Sequence, residues 1–357
     1  MPNIDVDYLI VGQGLAGSLL SYKIVASGAS VMVYDDHHHA CASKIAAGII
    51  NPVTGHRWNL TANFHEYLKV AKELYSEIED TLGCKLLSTL KQTRLVKNEG
   101  QSNYFLKRLD QSVYRDLLTP SSNSYLKDAG FGFADVAQSY RFDTQGFIEK
   151  MFEWLALKNS IRQQPFNYKA LEKHETGLVY QSIDGETVCA KKVVFCEGYH
   201  AIDNPWLQHL PFKLAKGSVL EITIEPLQDM DMRVPHDRLL NWGHWILSDH
   251  QHRVRLGSTY DWNDTSKQAS KENQNKLLES LHNHSHFKAR AIKHKTGVRP
   301  TTKLRQPFVG PLSNHAHAYC LNGLGSKGCL IAPHYVTMLQ QHMVNDSPIP
   351  SEVTQWL

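Results

Sequence analysis

A glycine-rich turn near the start of the chain has the residues and the spacing to bind a pyrophosphate. It comprises Gly12, Gln13, Gly14, Leu15, Ala16 and Gly17. In such a turn the first glycine permits a tight bend, the second lets the backbone approach the phosphates, and the third lets a helix pack closely on a strand. The free N–H groups at the start of that helix favour an anion. The turn therefore predicts a dinucleotide site.

Two strands and an acidic residue complete this unit. Residues 7–11 and 30–34 are rich in β-branched and aromatic residues, which indicates a strand on either side of a helix. Asp35 follows the second strand roughly 20 residues after the first glycine, where a carboxylate reaches a ribose hydroxyl. Asp36 is the competing candidate. The unit predicts a nucleotide cofactor but does not distinguish FAD from NAD.

A segment of small residues after the second strand extends the candidate site. It runs from residue 42 to residue 52 and contains Ser43, Lys44, Ala47, Gly48 and Ile49. Small side chains allow the backbone to approach a second part of a large cofactor, although a close-packed loop without a ligand would have the same composition. The segment is a candidate for a second cofactor contact.

Further short motifs follow one another along the chain, at residues 42–52, 141–144, 165–166, 193–198, 216–220, 256–260, 297–301, 307–310, 322–328 and 332–333. In the order of these motifs, the chain resembles the glycine oxidase and D-amino-acid oxidase superfamily. Several ordered motifs are more specific than one glycine-rich loop. The resemblance implies that a hydride passes to N5 of FAD from a substrate carbon that bears an amine. It also implies noncovalent FAD, because no cysteine occupies the position that sarcosine oxidases use for attachment.

The resemblance implies three further FAD contacts. Phe166 would belong to a short strand whose backbone meets adenine, and Gly198 would end a strand beside the cofactor. The third contact is a glycine loop that leads into a helix from about residue 329 toward residue 343, with cofactor-binding residues Leu324, Gly325, Ser326, Lys327, Gly328 and Cys329. The N-terminus of this helix would stabilise negative charge on the flavin. Lys327 would add to that effect unless it faces solvent.

Arg299 matches the family arginine that clamps the substrate carboxylate beside the flavin. Such a clamp supplies charge-assisted, often bidentate hydrogen bonds and orients the reacting carbon; a structural salt bridge is the alternative role. Trp245 stands where glycine oxidase has a carboxylate-binding tyrosine, and indole can donate a hydrogen bond but is no hydroxyl. Ser326 replaces a second arginine of glycine oxidase. These replacements indicate a larger or differently shaped amine or amino-acid-like substrate.

Other aromatic and titratable residues are weaker candidates. Trp242 would stack on the substrate together with Trp245, although aromatic residues in a strand more often belong to the core. His244 and His252 are candidate general bases, but hydride transfer from a neutral amine requires no protein base.

Three short segments are locally similar to the FAD oxidase domain of the bifunctional tRNA methylaminomethyl-uridine biosynthesis enzyme, which cleaves a carboxymethyl group from an aminomethyl nitrogen. They are residues 51–52, 257–261 and 323–328. This similarity keeps a tRNA wobble-uridine side-chain oxidase as an alternative. An FAD-binding protein without amine oxidase activity is a further alternative.

The composition is typical of a globular protein. The chain has 357 residues and a net charge of +3, with scattered basic residues, which disfavours a nucleic-acid partner but leaves tRNA open. No signal peptide or membrane span is indicated. Six cysteines without close pairing predict reduced thiols in a cytoplasmic protein, with no disulfides and no zinc. Two histidine groups, residues 37–39 and residues 282, 284 and 286, resemble metal sites only superficially.

The predicted fold is α/β (α+β), with a Rossmann-like FAD-binding domain and an interleaved, mainly antiparallel substrate domain. The FAD-binding domain is expected to be discontinuous and to comprise residues 1–85, 140–210 and 290–357. The substrate domain would comprise residues 86–139 and 211–289. Its expected strands lie at residues 218–225, 245–247 and 253–259.

Overall fold

The computed structural model describes residues 3–36, 41–122, 125–225, 234–248 and 253–357. The strands are β1 (Asn3–Val11), β2 (Val31–Tyr34), β3 (Ile49–Ile50), β4 (Val53–Thr54), β5 (Asn59–Leu60), β6 (Leu87–Leu95), β7 (Leu118–Ser121), β8 (Phe133–Phe142), β9 (Ile161–Arg162), β10 (Leu171–His174), β11 (Gly177–Gln181), β12 (Thr187–Phe195), β13 (Ala215–Glu225), β14 (Arg238–Asn241), β15 (Trp245–Ser248), β16 (Val254–Gly257), β17 (Lys288–Arg299), β18 (Phe308–Pro311) and β19 (Ala318–Asn322).

The helices are α1 (Leu15–Ala26), α2 (Ala42–Ile45), α3 (Phe64–Leu82), α4 (Glu99–Leu109), α5 (Thr144–Leu157), α6 (Lys271–His284), α7 (Gly328–Asn345) and α8 (Ser351–Thr354). Short 3-10 turns cover Ser112–Tyr114, Tyr168–Ala170 and Gly198–Ile202. Within the described residues, no helix is long and apolar enough to cross a membrane.

The first sheet has the order β10-β11-β12-β1-β2-β9, and β19 pairs with both β12 and β18. The strands β1, β2, β12 and β19 are parallel, and Val11 pairs with Tyr34 on one side and with Phe195 on the other. Their carboxyl ends therefore meet at one edge of the sheet. In such sheets the ligand binds at this edge, so the turns that follow these strands are the natural site.

Alternating side chains of the central strands enter two different cores. Tyr8 and Ile10 of β1 pack in the core formed with α1, α3, α5 and α7, whereas Leu9 and Val11 pack in a second core on the other face. This alternation is what a strand covered on both faces requires, because successive side chains point to opposite sides. The continuous apolar sequence of β1 follows from it.

The second sheet has the order β17-β13-β16-β15-β14-β6-β8-β3, with β7 on β8, and is antiparallel except for the parallel pair β14–β6. Leu277 and Leu281 of α6 cover one face, where they pack in a core with Leu220 and Ile246. The opposite face carries Trp245 and other residues of a smaller cluster that includes Ile45 of α2. This face is turned toward the carboxyl edge of the first sheet.

The structure confirms the predicted fold class, but one predicted strand is wrong. Residues 165–166 form no strand; the strand next to β2 is β9, at Ile161–Arg162. The Phe166 ring instead stacks on Tyr180, with 4.2 Å between ring centroids, and the Asn167 N–H donates to the Tyr180 hydroxyl at 3.2 Å. Pro165 has no N–H to extend the ladder. The predicted domain limits stay a prediction; β17 pairs with β13 of the second sheet along its length.

Candidate active site

A cavity of about 790 Å³ lies between the carboxyl edge of the first sheet and one face of the second. Most of the predicted site residues line it, namely Gly12, Gln13, Gly14, Leu15, Ala16, Asp35, Ser43, Lys44, Ala47, Gly48, Ile49, Gly198, Trp245, Arg299, Leu324, Gly325, Ser326, Lys327, Gly328 and Cys329. Gly17, Asp36 and Phe166 are absent from the lining. The structure thus brings together segments from both ends of the chain.

The three glycines of the first turn have different surroundings. A Cβ on Gly12, where φ is +99°, would lie 2.6 Å from the Cys196 carbonyl oxygen, and a Cβ on Gly17 would lie 1.9 Å from the Gly12 carbonyl oxygen. A Cβ on Gly14 would meet only Ser43 Oγ at 3.6 Å and Cys41 Sγ at 3.7 Å. Gly12 and Gly17 are therefore required by packing, whereas Gly14 leaves open space on the cavity wall.

Asp35 lies at the cavity because the turn holds its carboxylate. The Gln13 N–H donates to Asp35 Oδ2 at 2.7 Å. The buried Gln13 side chain donates to Ser18 Oγ at 3.1 Å and to the Ile148 carbonyl at 2.9 Å. Of the two candidate acids, Asp35 is the one that lines the cavity.

The segment of small residues is clamped between the two sheets. A Cβ on Gly48 would lie 1.8 Å from the Phe142 carbonyl oxygen, and Ile49 pairs with Arg141 of β8. The guanidinium of Arg255 on β16 donates to the carbonyls of Ile45 and Ala46. Close packing against β8 accounts for the glycine. Ser43 of the same segment lines the cavity. Its Oγ accepts a hydrogen bond from the Leu15 N–H at 3.2 Å.

Glu197, which sequence reasoning did not select, lines the cavity after β12. Its carboxylate accepts hydrogen bonds from the Tyr168 hydroxyl and from Asn204 Nδ2, the latter at 2.8 Å. Burial raises the pKa of Glu197 to about 7, although both hydrogen bonds oppose this shift. A glutamate directly after the apolar run of residues 193–196 was the available sequence signal.

The C-terminal glycine loop joins the first sheet to the helix α7. The Gly325 N–H donates to the Pro300 carbonyl at 3.2 Å, which ties the loop to the residue after Arg299. The helix begins at Gly328, so its N-terminus opens on the cavity. The exposed Lys327 side chain donates from Nζ to Thr61 Oγ1 at 3.3 Å.

Arg299 ends β17 and extends over the backbone of β13. A Cβ on Gly217 would lie only 2.3 Å from Arg299 Nη2. The guanidinium donates to Ser258 Oγ at 3.0 Å and to the Thr259 carbonyl at 3.2 Å, and its Cζ lies 4.0 Å from the centre of the Tyr260 ring. Burial lowers its pKa. Among the described residues it forms no ion pair with a carboxylate, so the alternative of a structural salt bridge receives no support.

The two tryptophans predicted to stack on a substrate have different surroundings. Trp245 lines the cavity, and its ring is so close to Gly257 that a Cβ there would lie 2.6 Å from the indole. The Trp242 side chain packs in the core beneath α6, where its indole N–H donates to Ser280 Oγ at 2.9 Å. Trp242 also belongs to the cavity wall, but it is only 1% exposed, which favours the core role over stacking on a substrate.

The histidines selected from the sequence are not gathered at the cavity. His244 Nδ1 lies 3.1 Å from the Ser258 carbonyl oxygen, and burial lowers its pKa. The first histidine group (residues 37–39) and His252 lie outside the described residues. In the described part of the chain, no group of three or more histidine, cysteine, aspartate or glutamate side chains could hold a metal. All six cysteines are free thiols.

Comparisons with known proteins place the chain among oxidoreductases. The family pattern described as "DAO: FAD dependent oxidoreductase" matches residues 7–336. A Bacillus subtilis protein named uncharacterized oxidoreductase YurR is 23% identical over 353 residues, which cover 91% of this chain and 91% of that protein.

Two solved structures illustrate the likeness in fold. The iminodiacetate oxidase of Chelativorans sp. BNC1 superposes with a TM-score of 0.77 at 18% identity, over 97% of this chain and 98% of that one. The glycine oxidase of Geobacillus kaustophilus superposes with a TM-score of 0.78 at 15% identity, over 97% of this chain and 96% of that one. With the family pattern spanning most of the sequence, the chain belongs to the DAO family of FAD-dependent oxidoreductases.

Proposed function

We propose that this FAD-dependent oxidoreductase oxidises the C–N bond of a carboxylated amine or amino acid. The observation that carries the proposal is the environment of Arg299, whose half-buried guanidinium lines the cavity without a carboxylate partner among the described residues. A partly buried, unpaired cation is costly, and a substrate carboxylate would supply the missing charge. The iminodiacetate and glycine oxidases, whose names denote carboxylated amines, share the fold.

The cavity residues fit a noncovalently held FAD. The open wall at Gly14 and the N-terminus of α1 suit the pyrophosphate, and the Asp35 carboxylate suits a ribose hydroxyl. The N-terminus of α7 suits the end of the flavin that becomes negative on reduction. When bound, FAD supplies the two-electron acceptor for the oxidation.

The chain's own residues would bind and orient the substrate. Arg299 would bind the carboxylate with guanidinium N–H groups, in an orientation fixed by Ser258 and by the Tyr260 ring. Trp245, beside it on the sheet face, would exclude water from the amine. The described histidines His56 and His200 line the cavity, but a substrate that enters as the neutral amine needs no base.

A second candidate function is oxidation of a nucleoside side chain in tRNA. It draws support from the surface next to Arg299, where Tyr260 and Trp262 are 45% and 47% exposed and Lys213 Nζ lies 4.8 Å from the centre of the Trp262 ring. Exposed aromatic rings and cations are what single-stranded RNA recognition uses. Retention of unmodified tRNA by the protein, lost in Trp262→Ala, would favour this candidate.

The proposal is tested by anaerobic reduction of the flavin with a panel of carboxylated amines and their amide analogues. We expect Arg299→Ala to retain FAD but to lose on the order of 2 to 5 kcal/mol of transition-state binding for the acid. The amide should be nearly unaffected. Arg299→Lys should restore little, because an ammonium lacks the planar two-pronged fit. Equal losses for acid and amide would show that Arg299 is structural.

Two attributes of the protein accompany this proposal. We expect a cytoplasmic location, since six free thiols suit a reducing compartment. We also expect denaturation of the protein to release unmodified FAD. The absorbance of the solution, measured after the denatured protein has been filtered off, tests this expectation.

A further inference from the structure

Besides Arg299, the cavity wall carries two cations, Arg94 and Lys97, that sequence reasoning did not select. Arg94 lies on β6 and is only 8% exposed. Its Nη2 donates to the Gly55 carbonyl at 2.6 Å, and its Cζ lies 3.9 Å from the centre of the Trp58 ring. Lys97 follows β6, and its Nζ lies 3.1 Å from where a Cβ on Gly243 would be. Both side chains therefore belong to the cavity wall, and the contacts with Gly55 and Trp58 hold Arg94 in place.

These two cations have no counter-charge within the described residues. Neither forms an ion pair with a carboxylate there, and the charge of Arg94 is close enough to affect Lys97. Burial lowers the pKa of Arg94 to about 10; burial, and then the charge of Arg94, lower the pKa of Lys97. A buried cation next to a second, half-buried cation is unfavourable unless an anion binds between or beside them.

The carboxylates of the cavity lie elsewhere. Asp35 follows β2 and Glu197 follows β12, so both belong to the carboxyl edge of the first sheet. The turn that suits the FAD pyrophosphate lies at that edge too, between β1 and α1. Arg94 lies on the second sheet and Lys97 follows its strand β6, so neither carboxylate belongs to the part of the chain that carries the two cations.

The register of the second sheet separates this pair from Arg299. Arg94 pairs with Asn241, Asn241 with Trp245, Trp245 with Gly257, and Gly257 with Val219 of β13. The Arg299 guanidinium lies over the backbone of β13 at Gly217. Four strand spacings of about 4.8 Å make the backbones of β6 and β13 roughly 19 Å apart. Trp245 stands between the two cationic sites.

We propose that Arg94 and Lys97 bind a second anionic group of the substrate, a carboxylate or a phosphate. The inference rests on the proposed function, in which Arg299 holds the first carboxylate. The substrate would then be an amine with a negative charge at each end, long enough to pass Trp245.

The test separates binding from oxidation. α,ω-Dicarboxylic acids of increasing chain length, which cannot be oxidised at an amine, are titrated calorimetrically into the FAD-loaded protein. Each diacid is compared with its monoamide. We expect the diacid to bind on the order of 10- to 100-fold more tightly at the best length, as one charge-assisted contact allows. The oxidation assay uses N-(ω-carboxyalkyl)glycines and the corresponding ω-amides, and phosphate-terminated analogues distinguish the two sources of the anion.

Variants locate the effect. Lys97→Met and Arg94→Met should abolish the preference for the diacid, and Lys97→Glu should reverse it in favour of an ω-amino acid. Lys97 is the safer position, because Arg94 also supports Gly55 and Trp58. Lys91→Met is the matched control, since Lys91 is exposed on the same strand and pairs with Asp237 away from the cavity; the preference should persist there.

Two results would overturn the inference. One is equal affinity for diacids and monoamides at every length in the wild type. The other is loss of FAD from Lys97→Met and Arg94→Met, which would assign the cations to the cofactor. Failure of all carboxylated amines to reduce the flavin, with the preference for diacids intact, would refute the proposed oxidation and leave the second anion site standing.

Discussion

The guanidinium of Arg299 occupies the space that a side chain on Gly217 would need. A Cβ on Gly217 would lie 2.3 Å from Nη2 and 2.4 Å from Nη1. Gly217 pairs across the sheet with Gly297, so neither strand places a side chain beneath the guanidinium. The position of the arginine thus depends on two glycines as much as on its own hydrogen bonds.

Substitution of Gly217 by alanine is expected to displace Arg299 without unfolding the protein. The atoms that the new methyl group would meet are the end of a flexible side chain, which can move. We expect normal FAD content and a melting temperature close to wild type, with a KM for carboxylated amines raised about 10-fold or more, because a misplaced clamp loses aligned charged hydrogen bonds. Steady-state kinetics check this; an unchanged KM would mean that Arg299 does not bind the substrate.

Gly14 and Gly17 should respond differently to substitution. Gly14→Val is expected to remove FAD while leaving the melting temperature of the FAD-free protein close to wild type, since its Cβ meets no atom closer than 3.6 Å. Gly17→Ala would place a Cβ 1.9 Å from a backbone oxygen and should destabilise the fold by at least 1–3 kcal/mol (a rough overpacking range). Flavin absorbance measures the FAD content of both variants, and thermal melts measure their stability. Full FAD content in Gly14→Val would show that the pyrophosphate does not bind at Gly14.

Glu197 should make the stability of the FAD-free protein depend on pH. Its pKa is about 7 in the folded chain against an ordinary value of 4.5, so the folded state holds a proton that the unfolded state releases. The stabilising effect is complete below pH 4.5 and is lost as the pH rises to about 7; by linkage it amounts to at most about 3 kcal/mol.

The variant Glu197→Gln should show a smaller fall in stability over this range. Urea unfolding at a series of pH values measures it. Glu153→Gln is the control, because Glu153 is 60% exposed and pairs with Lys150 on the surface of α5. Parallel curves for wild type and Glu197→Gln would contradict the raised pKa.

Trp245→Tyr is expected to shift the preference toward short substrates. A phenol hydroxyl can hydrogen-bond a carboxylate as a donor, and the smaller ring leaves room above Gly257, where the indole is now in close contact. Relative to wild type, the ratio of kcat/KM for glycine to that for a longer N-substituted glycine should rise about 10-fold, the effect of one hydrogen bond to a charged group. A ratio that stays the same or falls would remove Trp245 from the determinants of specificity.

Local sequence signals predicted the cofactor end of the cavity better than the rest. The turn at residues 12–17 and Asp35 are close in sequence and joined by a hydrogen bond, so spacing alone indicates their proximity. Arg94 reaches the cavity only through pairing with β14, far along the chain, and nothing in its neighbouring sequence marks it. Phe166 shows the opposite error: the family motif suggested a strand, but the Tyr180 ring holds the side chain in a core.

The position of β1 at the centre of the first sheet also affects how the chain folds. Asp7 of β1 forms an ion pair with Lys191 of β12, at a sequence separation of 184 residues, and β1 pairs with β12 along most of its length. Closing so long a loop costs chain entropy before any contact is gained, and such non-local pairing slows folding. The nucleotide-binding turn is thus synthesised well before β12, the strand with which β1 pairs. A cofactor that binds only the completed sheet shifts the folding equilibrium, because it stabilises folded molecules relative to partly folded ones.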